Sequence, residues 1–90
     1  MSPPEAPIEE QVEQVLDNLE RTLTLANAGF DTLLKTNVYL LDWDDWDAFN
    51  AIYEERIGRV HLAPPRTTVD VDRLGLGYRI EIEMVAHVRE

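Results

Sequence analysis

From Ile8 onward the apolar side chains fall at Ile8, Val12, Val15, Leu16, Leu19, Leu23 and Ala26, in steps of three and four. That spacing draws one stripe along an amphipathic helix, with Gly29 as its expected C-terminal cap. Pro3, Pro4 and Pro7 precede it and predict an irregular start. The rhythm then changes. In TLLKTNVYLL (32–41), β-branched and aromatic residues carry apolar groups on both parities, which suits a central strand covered on both faces. DWDDWDAFNAIYEERIG restores helical spacing, with Trp46, Phe49, Tyr53 and Ile57 on one side. Asp42 or Asp44 can cap this second helix, the acids sit at its positive end, and Gly58 closes it.

Two more strands follow, in RTTVDV and YRIEIEMVAHV. In the last, Ile80, Ile82, Met84, Ala86 and Val88 share one face, opposite Arg79, Glu81, Glu83, Val85 and His87. In the first, Val69 and Val71 are expected to face the helices, with Arg66, Thr68 and Asp70 turned away. The order α-β-α-β-β predicts an α+β fold, two helices on one side of a short sheet, in a single domain over 1–90. Leu33, Tyr39 and Val85 would stay wet on the other side of that sheet, so association through the uncovered face is expected.

Charge narrows the partners. Among 90 residues, 18 acids against 8 Lys and Arg give a net charge of −10, a surface that repels phosphate backbones. Nucleic acid is therefore not an expected partner. No apolar run approaches membrane-spanning length, and MSPPEAP lacks the basic and apolar regions of a signal peptide. With no cysteine, disulfides and thiolate metal sites are excluded. The cytoplasm is the expected compartment and no membrane partner is expected.

Four blocks, QVEQVLDNLERTLTLANAGF, LLKTNVYLLDWDDWDAFNAIYEE, PPRTTVDVDRLG and RIEIEMVAHV, together resemble the Rid family, also called YjgF-like proteins. The likeness runs in order from about Gln11 to Val88 and is weakest at LGLG, where the family has Leu-Pro. It implies a fold like that of Bacillus-type chorismate mutase and a homotrimer with sites between subunits. It also implies that strand 32–41 lies between the last two strands, so that RLGLG is a crossing and not a hairpin turn. One departure is large. Family members begin with three further strands bearing Gly-Pro-Tyr and Ser-Gly segments, and nothing here matches them. A naturally shortened, truncated member, a fragment and one half of a split system all fit.

Rid proteins hydrolyse reactive 2-imino acids to 2-keto acids and ammonia without metal or cofactor. By motif, Arg66 matches the family arginine that anchors the substrate carboxylate, a task suited to a planar guanidinium. The double proline ahead of it would stiffen its approach. Glu81 matches the family glutamate and would orient and partly deprotonate the attacking water. If both strands are as drawn, it shares the uncovered face with Arg66. Asn50 matches an asparagine near the site, and Thr68 a small polar position on the cavity wall. Plainer roles stand beside these: an interface ion pair for Arg66 and Glu81, a turn cap for Asn50, a good strand former in Thr68.

Other motifs carry less. His61 and His87 lack a third ligand at metal spacing. DWDDWD has the acid density of a calcium loop without its glycine or closing glutamate, and helix-start acids explain it better. Trp43 and Trp46 suit a staple and core contacts at the helix start, and GLG lacks the context of a phosphate loop. Two functions remain: an imine deaminase of Rid type, acting on small 2-imino acids, and a non-catalytic Rid module that oligomerises and binds small carboxylates or a partner protein. Ribonuclease activity is disfavoured by the acidic charge.

Overall fold

Pro7 opens the first helix of the computed structural model, which describes residues 3–61 and 66–90. Helix α1 (Ile8–Leu25) turns Ile8, Val12 and Leu16 into the core, with Val15, Leu19 and Leu23 packed partly against it. Each fully buried aliphatic side chain of this stripe contributes about 1.5–3 kcal/mol of transfer free energy. Gln11 is buried among them and makes three hydrogen bonds. Its Nε2 donates to the Pro4 and Ala6 carbonyls at 2.8 and 2.9 Å, and its Oε1 accepts from the Arg79 backbone N–H at 2.9 Å. One side chain thus ties the N-terminal segment to the start of the last strand.

The helix does not end as Gly29 suggests. Asn27 takes the left-handed conformation (φ 59°), while Ala28 N–H reaches the Leu23 carbonyl and Asn27 N–H the Thr24 carbonyl. That is a Schellman cap with asparagine in the glycine position, and Gly29 (φ −167°) is extended. A 3-10 turn at Phe30–Thr32 then leads into strand β1 (Leu33–Leu40).

Asp42 caps a 3-10 turn at Trp43–Asp45 by accepting from the Asp44 N–H, and helix α2 (Trp46–Arg56) follows directly. Its Phe49 and Tyr53 are buried, together with Ile57 just beyond its end. A Cβ on Gly58 would lie 2.6 Å from the Glu54 carbonyl oxygen, so only glycine fits that exit. Trp43 is half exposed and stacks on Trp46 at 6.2 Å, so of the two only Trp46 reaches the core. Arg56 joins the helices by pairing with Glu13, Asp17 and Glu20 of α1.

Strands β2 (Arg66–Asp70) and β3 (Ile80–Ala86) flank β1, giving the order β2-β1-β3. β1 runs parallel to β2 and antiparallel to β3, which bears out the central place expected for 32–41. The segment between β2 and β3 is a crossing with a 3-10 turn at Gly75–Gly77. The two helices and mixed sheet make the expected α+β fold. Thr36, Val38 and Leu40 of β1 and Ile80 and Ile82 of β3 are buried against the helices, while Lys35, Asn37 and Tyr39 point the other way. Coverage is therefore one-sided in this chain, where two-sided coverage was expected of β1.

The faces of β2 are the reverse of the sequence expectation. Its register pairs Arg66 with Thr36, Thr68 with Val38 and Asp70 with Leu40, which puts those three on the helix side. Val69, opposite Tyr39, lies on the outer face and is exposed. The apolar parity misleads because β2 is a short edge strand. The aromatic rings of α2 offer a cation more on that side than the core offers a valine.

Candidate functional site

Arg66 opens β2, directly beside Thr36 in the neighbouring strand and beneath α2. Its guanidinium carbon lies 4.8 Å from the ring centre of Tyr53, 5.7 Å from Phe49 and 6.0 Å from Trp46. These rings come from one helix face at the spacing 46, 49, 53, so the stripe that builds the core also makes a π-faced cradle for a cation. Arg66 Nη1 donates to Asn50 Oδ1 at 2.8 Å, and Glu54 Oε1 stands 3.8 Å away. A guanidinium has five donors in a planar fork, so this bond fixes the plane while using one of them. About a fifth of the Arg66 side chain remains accessible.

Behind the cradle, Tyr53 Oη donates to the buried Thr36 Oγ1 at 3.0 Å. Burial pushes the Tyr53 hydroxyl above its ordinary range, against the opposing pull of the Thr36 bond and the Arg66 charge. Tyr53 is therefore neutral near pH 7, and the cation faces uncharged aromatic walls. A partly accessible, oriented guanidinium of this kind is suited to hold a planar carboxylate by two parallel hydrogen bonds.

Thr68 follows two residues along β2 on the same face as Arg66, half-buried. Arg66, Asn50 and Thr68 thus come together. Asn50 contacts Arg66 rather than capping a turn, and so acts as a positioning residue. Pro64 and Pro65, expected to stiffen the approach, lie outside the described residues.

Glu81 is elsewhere. It pairs with Tyr39 on β3, on the outer face and on the far side of β1 from β2. The two strands are about 10 Å apart across the sheet, and Arg66 and Glu81 leave opposite faces. The shared face expected of them does not exist within one chain. An intramolecular Arg66–Glu81 ion pair is likewise ruled out by these placements.

The outer face instead carries a cluster that the sequence reading missed. Glu83 Oε1 accepts from Tyr39 Oη at 2.7 Å and from Asn37 Nδ2 at 3.1 Å. These two bonds hold the Glu83 carboxyl below the usual range, and the carboxylate raises the Tyr39 hydroxyl in turn. Asn37 and Tyr39 share a parity on β1, which the sequence showed, but the antiparallel register that sets Glu83 opposite Asn37 comes only with the fold. Elsewhere, His61 Nε2 lies 2.8 Å from the Leu33 carbonyl oxygen, and no metal-holding cluster of His, Asp or Glu occurs among the described residues.

The model of the family described as Endoribonuclease L-PSP matches residues 2–88, nearly the whole chain. The chain belongs to that family. A RutC family protein of Synechocystis is 40% identical over 91% of this chain and 62% of its own length. The mitochondrial protein mmf2 of Schizosaccharomyces pombe is 37% identical over 88% of this chain and 64% of its own. This L-PSP chain thus spans less than two thirds of those relatives. YyfA of Yersinia pestis, of the conserved Rid protein family, superposes with a TM-score of 0.89 at 33% identity, covering 93% of this chain and 66% of that one. The resemblance to Rid and YjgF-like proteins and the fold it implied are therefore borne out. No helix of the described residues is long and apolar enough to cross a membrane.

Proposed function

We propose that this L-PSP-family chain works as a homo-oligomer, a trimer by the expected assembly, that hydrolyses small 2-imino acids at sites between its copies. Arg66 of one copy anchors the substrate carboxylate, with Asn50 setting the guanidinium plane and Thr68 lining the wall. Glu81 of a neighbouring copy orients a water. The observation that carries this is the oriented, partly accessible Arg66 on its aromatic cradle, a constellation suited to a planar carboxylate.

The chemistry balances without metal or cofactor. Water oxygen bonds to the carbon of the protonated imine as the C=N π pair moves to nitrogen, and Glu81 takes the water's proton, leaving a neutral carbinolamine. Glu81 returns that proton to the amine nitrogen, and the C–N bond breaks with its electron pair going to the departing ammonia. The oxygen's lone pair forms the carbonyl of the 2-keto acid as the hydroxyl proton passes to the freed Glu81 carboxylate. Because Arg66 and Glu81 leave opposite faces of one sheet, both can touch one small substrate only if two chains contribute.

Mixed inactive variants test this. Arg66→Ala and Glu81→Gln should each abolish formation of 2-oxobutyrate from 2-iminobutyrate. Unfolding the two together and refolding should restore about a quarter of wild-type activity, as a head-to-tail interface predicts. No recovery would defeat the shared site. A second reading, a non-catalytic module that binds small carboxylates or a partner protein, is favoured by the separation of Arg66 and Glu81 onto opposite faces of one sheet. It predicts 2-oxobutyrate binding that requires Arg66, with no turnover in the wild type.

A further inference from the structure

Glu54 shares the Arg66 anchor with Asn50. The two stand four residues apart on α2, so both side chains leave the same face of the helix. Asn50 Oδ1 accepts from Arg66 Nη1 at 2.8 Å, while Glu54 Oε1 stands 3.8 Å from the same nitrogen. The longer distance is an ion pair and not a hydrogen bond, so Glu54 takes no donor from the fork. Its carboxylate folds back along the helix, with Oε2 2.8 Å from where a Cβ on Gly58 would lie. A side chain at 58 would displace it.

Stability gives this placement little support. More than half of the Glu54 side chain is exposed, against about a fifth of Arg66, and a pair so open to water adds little to a fold. In the last turn of α2 a carboxylate also faces the negative end of the helix dipole, which opposes it. What the placement does supply is a fixed negative charge at the rim of a carboxylate anchor.

Such a charge sorts ligands. A 2-keto acid brings one carboxylate, which Arg66 attracts and Glu54 repels. A protonated 2-imino acid brings the same carboxylate with a cationic nitrogen on the adjacent carbon. Its two charges complement those of Arg66 and Glu54, and the attraction of nitrogen to Glu54 offsets the repulsion of the carboxylate. Asn50 is uncharged and cannot tell the two ligands apart.

We propose that Glu54 is a specificity-determining residue of the Arg66 site, favouring ligands with a cationic nitrogen beside the carboxylate over the corresponding keto acid. For hydrolysis, which this inference takes from the function proposed above, Glu54 draws in the protonated imine. It then weakens the hold on the product, whose nitrogen has gone. The site is thereby tuned against inhibition by its own product.

The test is calorimetry of 2-oxobutyrate and 2-aminobutyrate binding to the 90-residue chain at low ionic strength, where exposed charges are least screened. The amino acid is a stable ligand of the same length with its cation on the same carbon. Glu54→Gln should tighten 2-oxobutyrate and loosen 2-aminobutyrate, each by about two- to fivefold, the scale of an exposed charge pair. The ratio of the two affinities should therefore move by about tenfold, while the melting temperature stays put. Glu55 pairs with Arg59 at 3.9 Å, and Glu55→Gln removes the same charge one residue along, so it should leave the ratio unchanged. Affinities that shift together, or a Glu55→Gln effect as large, would overturn the role of Glu54 while Arg66→Ala still abolished both ligands. Binding that survives Arg66→Ala, or that is absent from the wild type, would overturn the anchor itself and this inference with it.

Discussion

Thr36, Val38 and Leu40 point from β1 into the helices and have no accessible surface, while Lys35, Asn37 and Tyr39 alternate with them on the open side. The helix side holds the core and, at its β2 margin, the cation on its aromatic cradle. The open side holds Glu81 and the Tyr39–Glu83–Asn37 cluster, with Val69 and Val85 exposed among them. One sheet therefore divides an acid from a base: the guanidinium is fixed by packing, the carboxylates by cross-strand hydrogen bonds. Packing is dry and insensitive to pH, whereas hydrogen bonds in water titrate. The two faces should respond differently to nearly every perturbation.

The largest contrast is expected between adjacent residues. Leu40→Ala should destabilise the chain by about 2–5 kcal/mol, because it deletes buried methyl groups and leaves a cavity. Against a typical domain stability of about 5–15 kcal/mol, that is a large fraction. Tyr39→Ala, one position earlier, should cost under about 1 kcal/mol in the isolated chain, as an exposed site does. Denaturant melts of both variants check this at low and high protein concentration. A Tyr39→Ala loss that matches Leu40→Ala only at high concentration would show the open face buried between copies, as the proposed oligomer requires.

Gln11→Leu comes next. It leaves the Arg79 N–H and the Pro4 and Ala6 carbonyls without their partner, at about 2 kcal/mol in total. Because Gln11 ties the N-terminal segment to the start of β3, amide exchange at Arg79 should rise more than at Val38. Uniform acceleration along the chain would mean that Gln11 acts only through global stability.

Smaller in stability, and aimed at the cradle, is Arg66→Lys. It keeps the charge and loses the planar fork and the bond geometry to Asn50, so the chain should lose about 1 kcal/mol or less. Under the proposed function, 2-oxobutyrate affinity should fall at least about tenfold, since an ammonium cannot hold a carboxylate by two parallel bonds. Calorimetry and a melting curve on the same sample separate the two effects. Unchanged affinity would reduce Arg66 to a packing cation.

Much of this was legible from the chain itself. The 3.6-residue period of α1 survives in Val12 and Leu16, and the two-residue period of β3 in Ile80 and Ile82. Burial imposes those periods, so pattern reading recovers them. The facing of β2 was not legible, because nothing buries an edge strand strongly enough for its valines to report orientation. The cap of α1 fell to Asn27 rather than Gly29, since asparagine also tolerates the left-handed region and the helix stops two residues sooner. Arg66, Asn50 and Thr68 stood out by motif and do converge, whereas Glu81, on the outer face as expected, does not join them. Its own strand was read correctly, and the error lay in the partner strand. The Tyr39–Glu83 contact needed a register, which no single strand contains.

The smallest effect, and the sharpest for the open face, is the titration of Glu83. The bonds from Tyr39 and Asn37 stabilise its carboxylate, with Lys35 adding a weaker pull, so its folded pKa lies below that of the unfolded chain. A depressed carboxyl contributes stability that is present above the unfolded value and lost as pH falls through the folded one. Tyr39→Phe removes the larger of the two bonds, so the Glu83 carboxyl should titrate at higher pH in the variant while remaining somewhat depressed by Asn37. The same substitution should lower stability slightly at neutral pH, where the carboxylate is charged, and the difference from wild type should vanish as pH falls through the folded value, so the acid arm becomes shallower. Carbon-detected titration of the Glu83 carboxyl in both proteins reads this directly. An unchanged midpoint would mean that solvent, not Tyr39, sets the Glu83 charge, and the cluster would lose its claim to order the open face.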